Sequence, residues 1–157
     1  GDAVAVCLLE AREFTKKDFA KYHPGGSLGK KLYLKVADIY PNNACPVVKD
    51  SASIQEVILE MTTKRLGATA VVNPANELMG IVTDGDLRRM LTSSSDFTSL
   101  TAETIMSRNP KSIAPDEYAV NALLHMQELS ISQLIVAENG KVFGFVHLHD
   151  LLREGLV

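Results

Sequence analysis

Apolar positions along this chain follow two periods, 3.6 and 2, and the same succession of periods is used twice. From Val36 onward, "VADIYPNNACPVVKDSASIQEVILEMTTKRLGATAVVNPANELMGIVTDGDL" lines up with "AETIMSRNPKSIAPDEYAVNALLHMQELSISQLIVAENGKVFGFVHLHDL". Self-similarity on this scale marks a duplicated unit. Each copy opens on an Ile-centred stretch (Ile39, Ile105), and a short strand follows a proline (Pro46, Pro110). An amphipathic helix comes next. In the first copy Ser53 and Glu56 have capping-box spacing. Ile54, Val57, Ile58 and Met61 form the apolar stripe, and Gly67 is expected to end the helix. In the second copy Asp116 is the expected N-cap, with Ala119, Ala122, Leu123 and Met126 inward. Two strands then pair, through "NPAN" in one copy and "ENGK" in the other, where Asn139-Gly140 suits a type I′ turn. Each copy closes on one strand-to-helix turn, "GIVTDGDL" and "GFVHLHDL". The order per copy is β-α-β-β-α. One copy is too small to bury much by itself, so the two are expected to pair face to face and share a core.

Ahead of the repeats, "DAVAVCLLEAREF" predicts a helix without an N-cap and apolar almost all round. Such a helix belongs inside a larger body, so the chain reads as starting within a domain whose front part lies upstream. "FTKKDFAKYHPGGSLGKKL" follows, with a Thr15-x-x-Asp18 start signal and a Pro-Gly-Gly stop.

Bulk properties narrow the classes. The 157 residues are 46% apolar, enough for one soluble domain or two small ones. A net charge of -3 and a pI of about 5.8 argue against a nucleic-acid partner, which would want a basic face. No apolar run approaches the ~20 residues that cross a bilayer, so no membrane partner is expected. The first residues carry Asp2 and Glu10 where a secretory signal would be basic. Cys7 and Cys45 have neither a CxxC partner nor a metal-ligand neighbour, which points to a reducing, cytoplasmic setting. "HPGGSLGKK" is not a phosphate loop: three residues separate its glycines where four are needed, and Lys stands where Ser or Thr should be.

The repeated turn supports two readings. Thr83-x-x-Asp86 is itself a capping box, worth ~1 kcal/mol to a helix with no ligand involved. The same carboxylate could instead bond both hydroxyls of a ribose, with phosphate drawn to amides at the helix start and neutralised by Arg88 and Arg89. In the second copy His147 replaces the Thr. Histidine is not a favoured N-cap, so the capping role of the hydroxyl is expected to be lost, although a neutral imidazole can still bond a ligand oxygen. His147, His149 and Asp150 could be three metal ligands, but no fourth lies near in sequence and no metal is expected.

"DIY…PVVKDSASIQEVILEM…GATAVV…LMGIVTDGDL" and its partner resemble a tandem cystathionine-β-synthase (CBS) domain pair, over nearly everything from Val36 to Val157. "GDAVAVCLLEAREFTKKDFAKYHPGGSLGKKL" resembles the end of the sugar-isomerase (SIS) domain of D-arabinose 5-phosphate isomerases, a family that joins the two domains in this order. The resemblance implies an α+β fold: a tandem CBS pair with pseudo-two-fold symmetry, preceded by the C-terminal helical end of a truncated SIS domain. The implied division is 1–35 for the SIS remnant, 36–92 for repeat 1 and 102–157 for repeat 2.

In CBS pairs the clefts between copies often take adenine nucleotides, and an Asp at this turn holds the ribose. The resemblance therefore places Thr83 and Asp86 in a first cleft, with backbone near Val48, Ala68 and Thr69 lining the base. It places Asp150 in a second cleft with Ile113 and His147. It puts His23, in "HPGG", at the isomerase active site, where an acid/base titrating near neutrality suits proton transfer through an enediol. The other catalytic groups would lie upstream, so this chain by itself is expected to be inactive. The parent reaction would interconvert ribulose 5-phosphate and arabinose 5-phosphate, which supplies 3-deoxy-octulosonate for lipopolysaccharide.

Two roles then stand side by side. The pair senses a small effector, an adenine nucleotide or a nucleotide-activated sugar, and biases the SIS domain of the same chain, with no cofactor required. Alternatively, it only holds subunits together in a homo-oligomer, a dimer or tetramer, through Leu87, Met90, Leu91, Leu151 and Leu152. The repeats contain no Ser/His/Asp or Cys/His arrangement that would make them catalytic in their own right.

Overall fold

The computed structural model describes residues 32–93 and 96–156. Repeat 1 comprises β1 (Val47–Lys49), α1 (Ile54–Lys64), β2 (Ala68–Val72), β3 (Leu78–Thr83) and α2 (Asp84–Ser93). A short helix α3 (Ala102–Ile105) and strand β4 (Ser107–Arg108) lead into repeat 2, which comprises β5 (Ser112–Ile113), α4 (Ala119–Leu129), β6 (Gln133–Glu138), β7 (Lys141–His147) and α5 (Leu148–Arg153). Repeat 1 has its own lead-in, two 3-10 turns at Val36–Asp38 and Tyr40–Asn42. The tandem β-α-β-β-α arrangement is thus present.

Each repeat builds one sheet. In the first, β1 runs parallel to β2, and β3 is antiparallel to both β2 and β4. In the second, β5 runs parallel to β6, which pairs antiparallel with β7. The β6–β7 turn has Asn139 at φ 53 and Gly140 at φ 78, the left-handed pair that a type I′ hairpin needs. Between the sheets lies a cluster drawn from both repeats: Ala68 and Ala70 against Ile135, Ala137 and Phe145. The shared core is therefore real.

The lead-in segments are exchanged. Val36 and Ile39 are buried with Ile113, Ala122, Met126 and Leu134 of repeat 2. The Val36 and Ala37 amides donate to the Glu117 and Pro115 carbonyls, each at 2.9 Å. Conversely, Ala102 and Met106 complete the core of repeat 1 with Val57, Met61, Val71 and Val82. The Ala102 amide donates to the Ala52 carbonyl at 2.9 Å, and the Glu103 amide to the Asp50 carbonyl at 3.0 Å. Each repeat thus finishes its core with the segment that introduces the other.

That exchange corrects one helix boundary. Asp116 does not cap α4; its N-cap is Tyr118, with no side-chain cap bond. The Ala119 amide instead donates to the Leu34 carbonyl at 2.8 Å, so the lead-in backbone satisfies a first-turn donor that a side chain would otherwise take. At the other end of a helix, Gly67 does not terminate α1. Arg65 does, in the left-handed region at φ 59 with its amide on the Met61 carbonyl, and Gly67, at φ 72, turns the chain into β2.

Candidate functional site

The two strand-to-helix corners are built alike. At the first, the Asp86 carboxylate accepts from the Thr83 amide at 2.8 Å and the Thr83 hydroxyl at 3.0 Å, while the Asp86 amide donates to that hydroxyl at 3.3 Å. This is the reciprocal box expected from the spacing. The other carboxylate oxygen accepts from Arg89 and, at 2.9 Å, from the hydroxyl of Ser107 in β4. Asp86 is only 4% exposed, and its buried charge is stabilised by this full set of donors.

At the second corner, Asp150 accepts from the His147 amide at 2.8 Å. His147 does cap this helix, contrary to the expectation: its Nδ1 accepts from the His149 amide at 3.1 Å. The imidazole does what a hydroxyl would, provided it is neutral with its proton on Nε2. The His149 ring stacks on it at 4.7 Å with an interplanar angle of 11°. Burial, and then the neighbouring His149, hold the His147 imidazole below its ordinary range, against a smaller opposite pull from Asp150. Asp150, 8% exposed, also accepts from Asn43 Nδ2 at 2.7 Å. Each carboxylate is therefore bonded by the lead-in of the opposite repeat.

Both corners border one cavity of about 960 Å³, within the ~300–1,000 Å³ typical of small-molecule sites. Its wall comes in repeat-related pairs: Arg65 with Ser130, Leu66 with Ile131, Gly67 with Ser132, Thr83 with His147, and Gly85 with His149. It therefore straddles the pseudo-dyad. Ile58, Met61 and Leu87 supply an apolar side, and Asp84 and Gln133 further polar groups. A smaller cavity of about 220 Å³ borders Asp86 together with Arg89, Met90, Leu100 and Thr104.

The residues singled out in the sequence divide into three groups. Thr83 and His147 meet across the large cavity, and Asp86 and Asp150 sit behind them in the capping boxes. Val48, Ala68, Thr69 and Ile113 are buried at 9%, 0%, 0% and 5% exposure. Thr69 donates to the Ala70 carbonyl, and the apolar three belong to core clusters. Arg88 is exposed, and it is Arg89 that pairs with Asp86. His147, His149 and Asp150 do not form a ligand set: His147 Nδ1 and Asp150 Oδ2 are engaged at the cap, and the two imidazoles stack on each other. Among the described residues, no group of three or more His, Cys, Asp or Glu side chains is placed to hold a metal ion. His23 and Cys7 lie outside the described residues, as does the "HPGGSLGKK" run. Sequence reasoning missed Asn43, Ser107, Arg65 and residues 130–133, where α4 passes into β6. Only the repeat alignment, which pairs Arg65 with Ser130 at equivalent helix ends, carried a signal for any of these.

The family model for the CBS domain matches residues 36–93 and again 102–156. The chain belongs to the CBS domain family. Arabinose 5-phosphate isomerase KdsD of Escherichia coli K12 is 44% identical over 158 aligned residues, covering all of this chain and 48% of that protein. The Francisella tularensis and Yersinia pestis proteins of the same name are 44% and 42% identical, covering 98% and 100% of this chain and 47% and 48% of their own lengths. This CBS pair thus matches the C-terminal region of its curated homologues and spans about half their length. Among solved structures, an uncharacterised conserved protein from Pyrococcus horikoshii superposes with a TM-score of 0.67 at 26% identity, over 78% of this chain and 92% of that one. The CBS domain pair of protein MJ0100, in complex with 5-methylthioadenosine and S-adenosyl-L-methionine, gives 0.67 at 25% identity over 76% and 93%. CBSX2 in complex with AMP shares the fold, with a TM-score of 0.64 at 22% identity over 78% and 96%. No helix among the described residues is long and apolar enough to cross a membrane.

Proposed function

We propose that this CBS pair is the regulatory part of a cytoplasmic arabinose 5-phosphate isomerase, and that it senses an adenine nucleotide or a nucleotide-activated sugar bound between its repeats. One observation carries the reading. The large cavity takes wall from both strand-to-helix corners, so any occupant touches both repeats and can bias how they sit, which is what an effector must do. The identity to KdsD proteins supports the parent enzyme, and the ligands of the MJ0100 and CBSX2 structures support the ligand class.

A ribose diol in that cavity would meet the Thr83 hydroxyl and the His147 imidazole, which line it, while Asp86 and Asp150 hold those two residues from behind. His23 would serve as acid/base in the upstream SIS domain, and the 157-residue chain alone would not turn over ribulose 5-phosphate. Calorimetry on the protein with its isomerase part, titrating AMP and separately the nucleotide-activated 3-deoxy-octulosonate sugar, should show saturable heat with one of them. Thr83→Val should weaken that binding about tenfold, the worth of one hydrogen bond. Silence from both at millimolar concentration contradicts the reading.

A second reading has its own observation. Leu59, Leu91, Leu124 and Leu152 are 66%, 59%, 49% and 45% exposed, one on each of α1, α2, α4 and α5. Of the positions expected at a subunit contact, Leu91 and Leu152 are exposed while Met90 and Leu151 are buried, and covering the exposed leucines with another subunit would remove apolar surface from water. Replacing Leu59 and Leu124 together by Glu should lower the mass seen in sedimentation; an unchanged assembly would count against an associating role for this face.

A further inference from the structure

The two imidazoles on the cavity wall differ in what local structure asks of them. His147 is accounted for: its Nδ1 accepts from the His149 amide and caps α5. The His149 ring has no such duty. It is exposed, and neither of its nitrogens has a hydrogen-bond or ion-pair partner among the described residues. Yet it lies flat against His147, with centroids 4.7 Å apart and planes 11° from parallel. His147 covers one face of it, and the cap holds His147 in place. The exposure of His149 therefore falls on its other face and its edge, and the ring borders the cavity.

The repeat-related position, Gly85, also lines the cavity and carries no ring. A Cβ there would meet Thr83 Oγ1 at 3.5 Å and Arg89 Nη1 at 3.6 Å, both ordinary contacts, so the difference between the repeats is one of residue choice and not of room. Charge on the wall does not offer a competing anchor, because Arg65 and Asp84 both stand on the repeat 1 side with opposite signs.

We infer that His149 is a stacking platform for a flat heteroaromatic ring, so that the cavity takes one nucleotide per chain, in one orientation, with its base on repeat 2. The inference rests on the nucleotide reading above and specifies the base end of that same site. A base extends an offset stack of imidazoles through its π-face, and such stacking is tolerant of which base is used. The platform therefore serves AMP and a nucleotide-activated sugar alike. A base laid over Gly85 would meet no ring, so the pseudo-dyad does not generate a second equivalent site.

The test is a titration of the full chain with AMP and, separately, with the nucleotide-activated 3-deoxy-octulosonate sugar, followed by calorimetry and by NMR at the His147 and His149 rings. The ligand that binds should do so one per chain and move the His149 ring protons upfield, as the ring current of a stacked base does. His149→Ala keeps the amide that His147 Nδ1 needs and should bind about tenfold more weakly, within the range of one base–aromatic stack. His149→Tyr keeps a flat ring without the imidazole nitrogens and should restore most of that affinity, which a role limited to the cap or to charge would not explain. Equal affinity in all three chains, a Tyr variant as weak as the Ala variant, or two ligands per chain overturns the platform while leaving the nucleotide reading standing. Binding of neither ligand to the wild-type chain overturns the nucleotide reading, and the platform with it.

Discussion

A methyl group added at Gly80 would lie 2.6 Å from Met106 Sδ and 2.7 Å from the Ser107 carbonyl oxygen. The methionine can swing away, but the β4 backbone cannot without losing its ladder. Gly80→Ala should therefore cost about 1–3 kcal/mol, as overpacking does, while Gly144→Ala, which meets only the Tyr40 side chain, should cost less. Urea unfolding of the two variants checks the order, and a neutral Gly80→Ala would contradict the exchanged lead-in. His147 makes a second prediction. Its pKa is lowered from 6.5 in the folded chain, so the unfolded chain takes up its proton first as pH falls. Stability then rises with pH across the window just below 6.5 and is lost on acidification, as Nδ1 turns from acceptor to donor and the cap breaks. His147→Thr should flatten that part of the melting-temperature profile; an unchanged slope would mean another group sets it. The Thr83–Asp86 box could be read in the sequence because its partners stand three residues apart, whereas the His147 cap could not, because histidine is not a favoured N-cap. Asn43 could not, because its two acceptors are 102 and 107 residues away and no local pattern marks them.

At the scale of elements, the hydrophobic periods revealed the helices and hairpins because Ile54, Val57 and Met61 of α1 and the stripe of α4 face their own sheets, although Ile58, read as part of the α1 stripe, is 43% exposed on the cavity wall. They did not reveal that α3 and the first 3-10 turn serve the other repeat. Val36 and Ile39 look like the start of repeat 1, and only the fold shows them in the core of repeat 2. The Asp116 expectation failed for the same reason: a backbone carbonyl from the distant lead-in stood where a local side chain was sought. Exchange makes the repeats interdependent. A chain break between residues 93 and 96 would give two pieces, each carrying the lead-in that the other needs. Circular dichroism should show each piece largely unfolded alone and helical on mixing, since deleting Ala102 and Met106, or Val36 and Ile39, empties part of a core at ~2–5 kcal/mol for each large side chain. Stable, independently folded halves would contradict this account.

At the largest scale, the described residues form two sheets held about a pseudo-dyad, with an alanine-rich seam between them and a cavity where the helix ends converge. The duplication alone foretold the dyad and the paired acidic corners. The resemblance placed Thr83 and His147 in two clefts between the copies, whereas both border one cavity, because its lining mixes loop residues such as Arg65 and Ser130 with helix positions such as Ile58, and their convergence depends on how the repeats dock. A ligand there stabilises the pair as a unit, by ~2.7 kcal/mol at a hundredfold excess over Kd. Hydrogen exchange with and without millimolar AMP tests this most directly. The account predicts slowed exchange in both repeats at once, at residues 65–67 and 83–87 and at 130–133 and 147–150. Unchanged exchange, or protection confined to one repeat, would contradict a ligand site shared across the dyad.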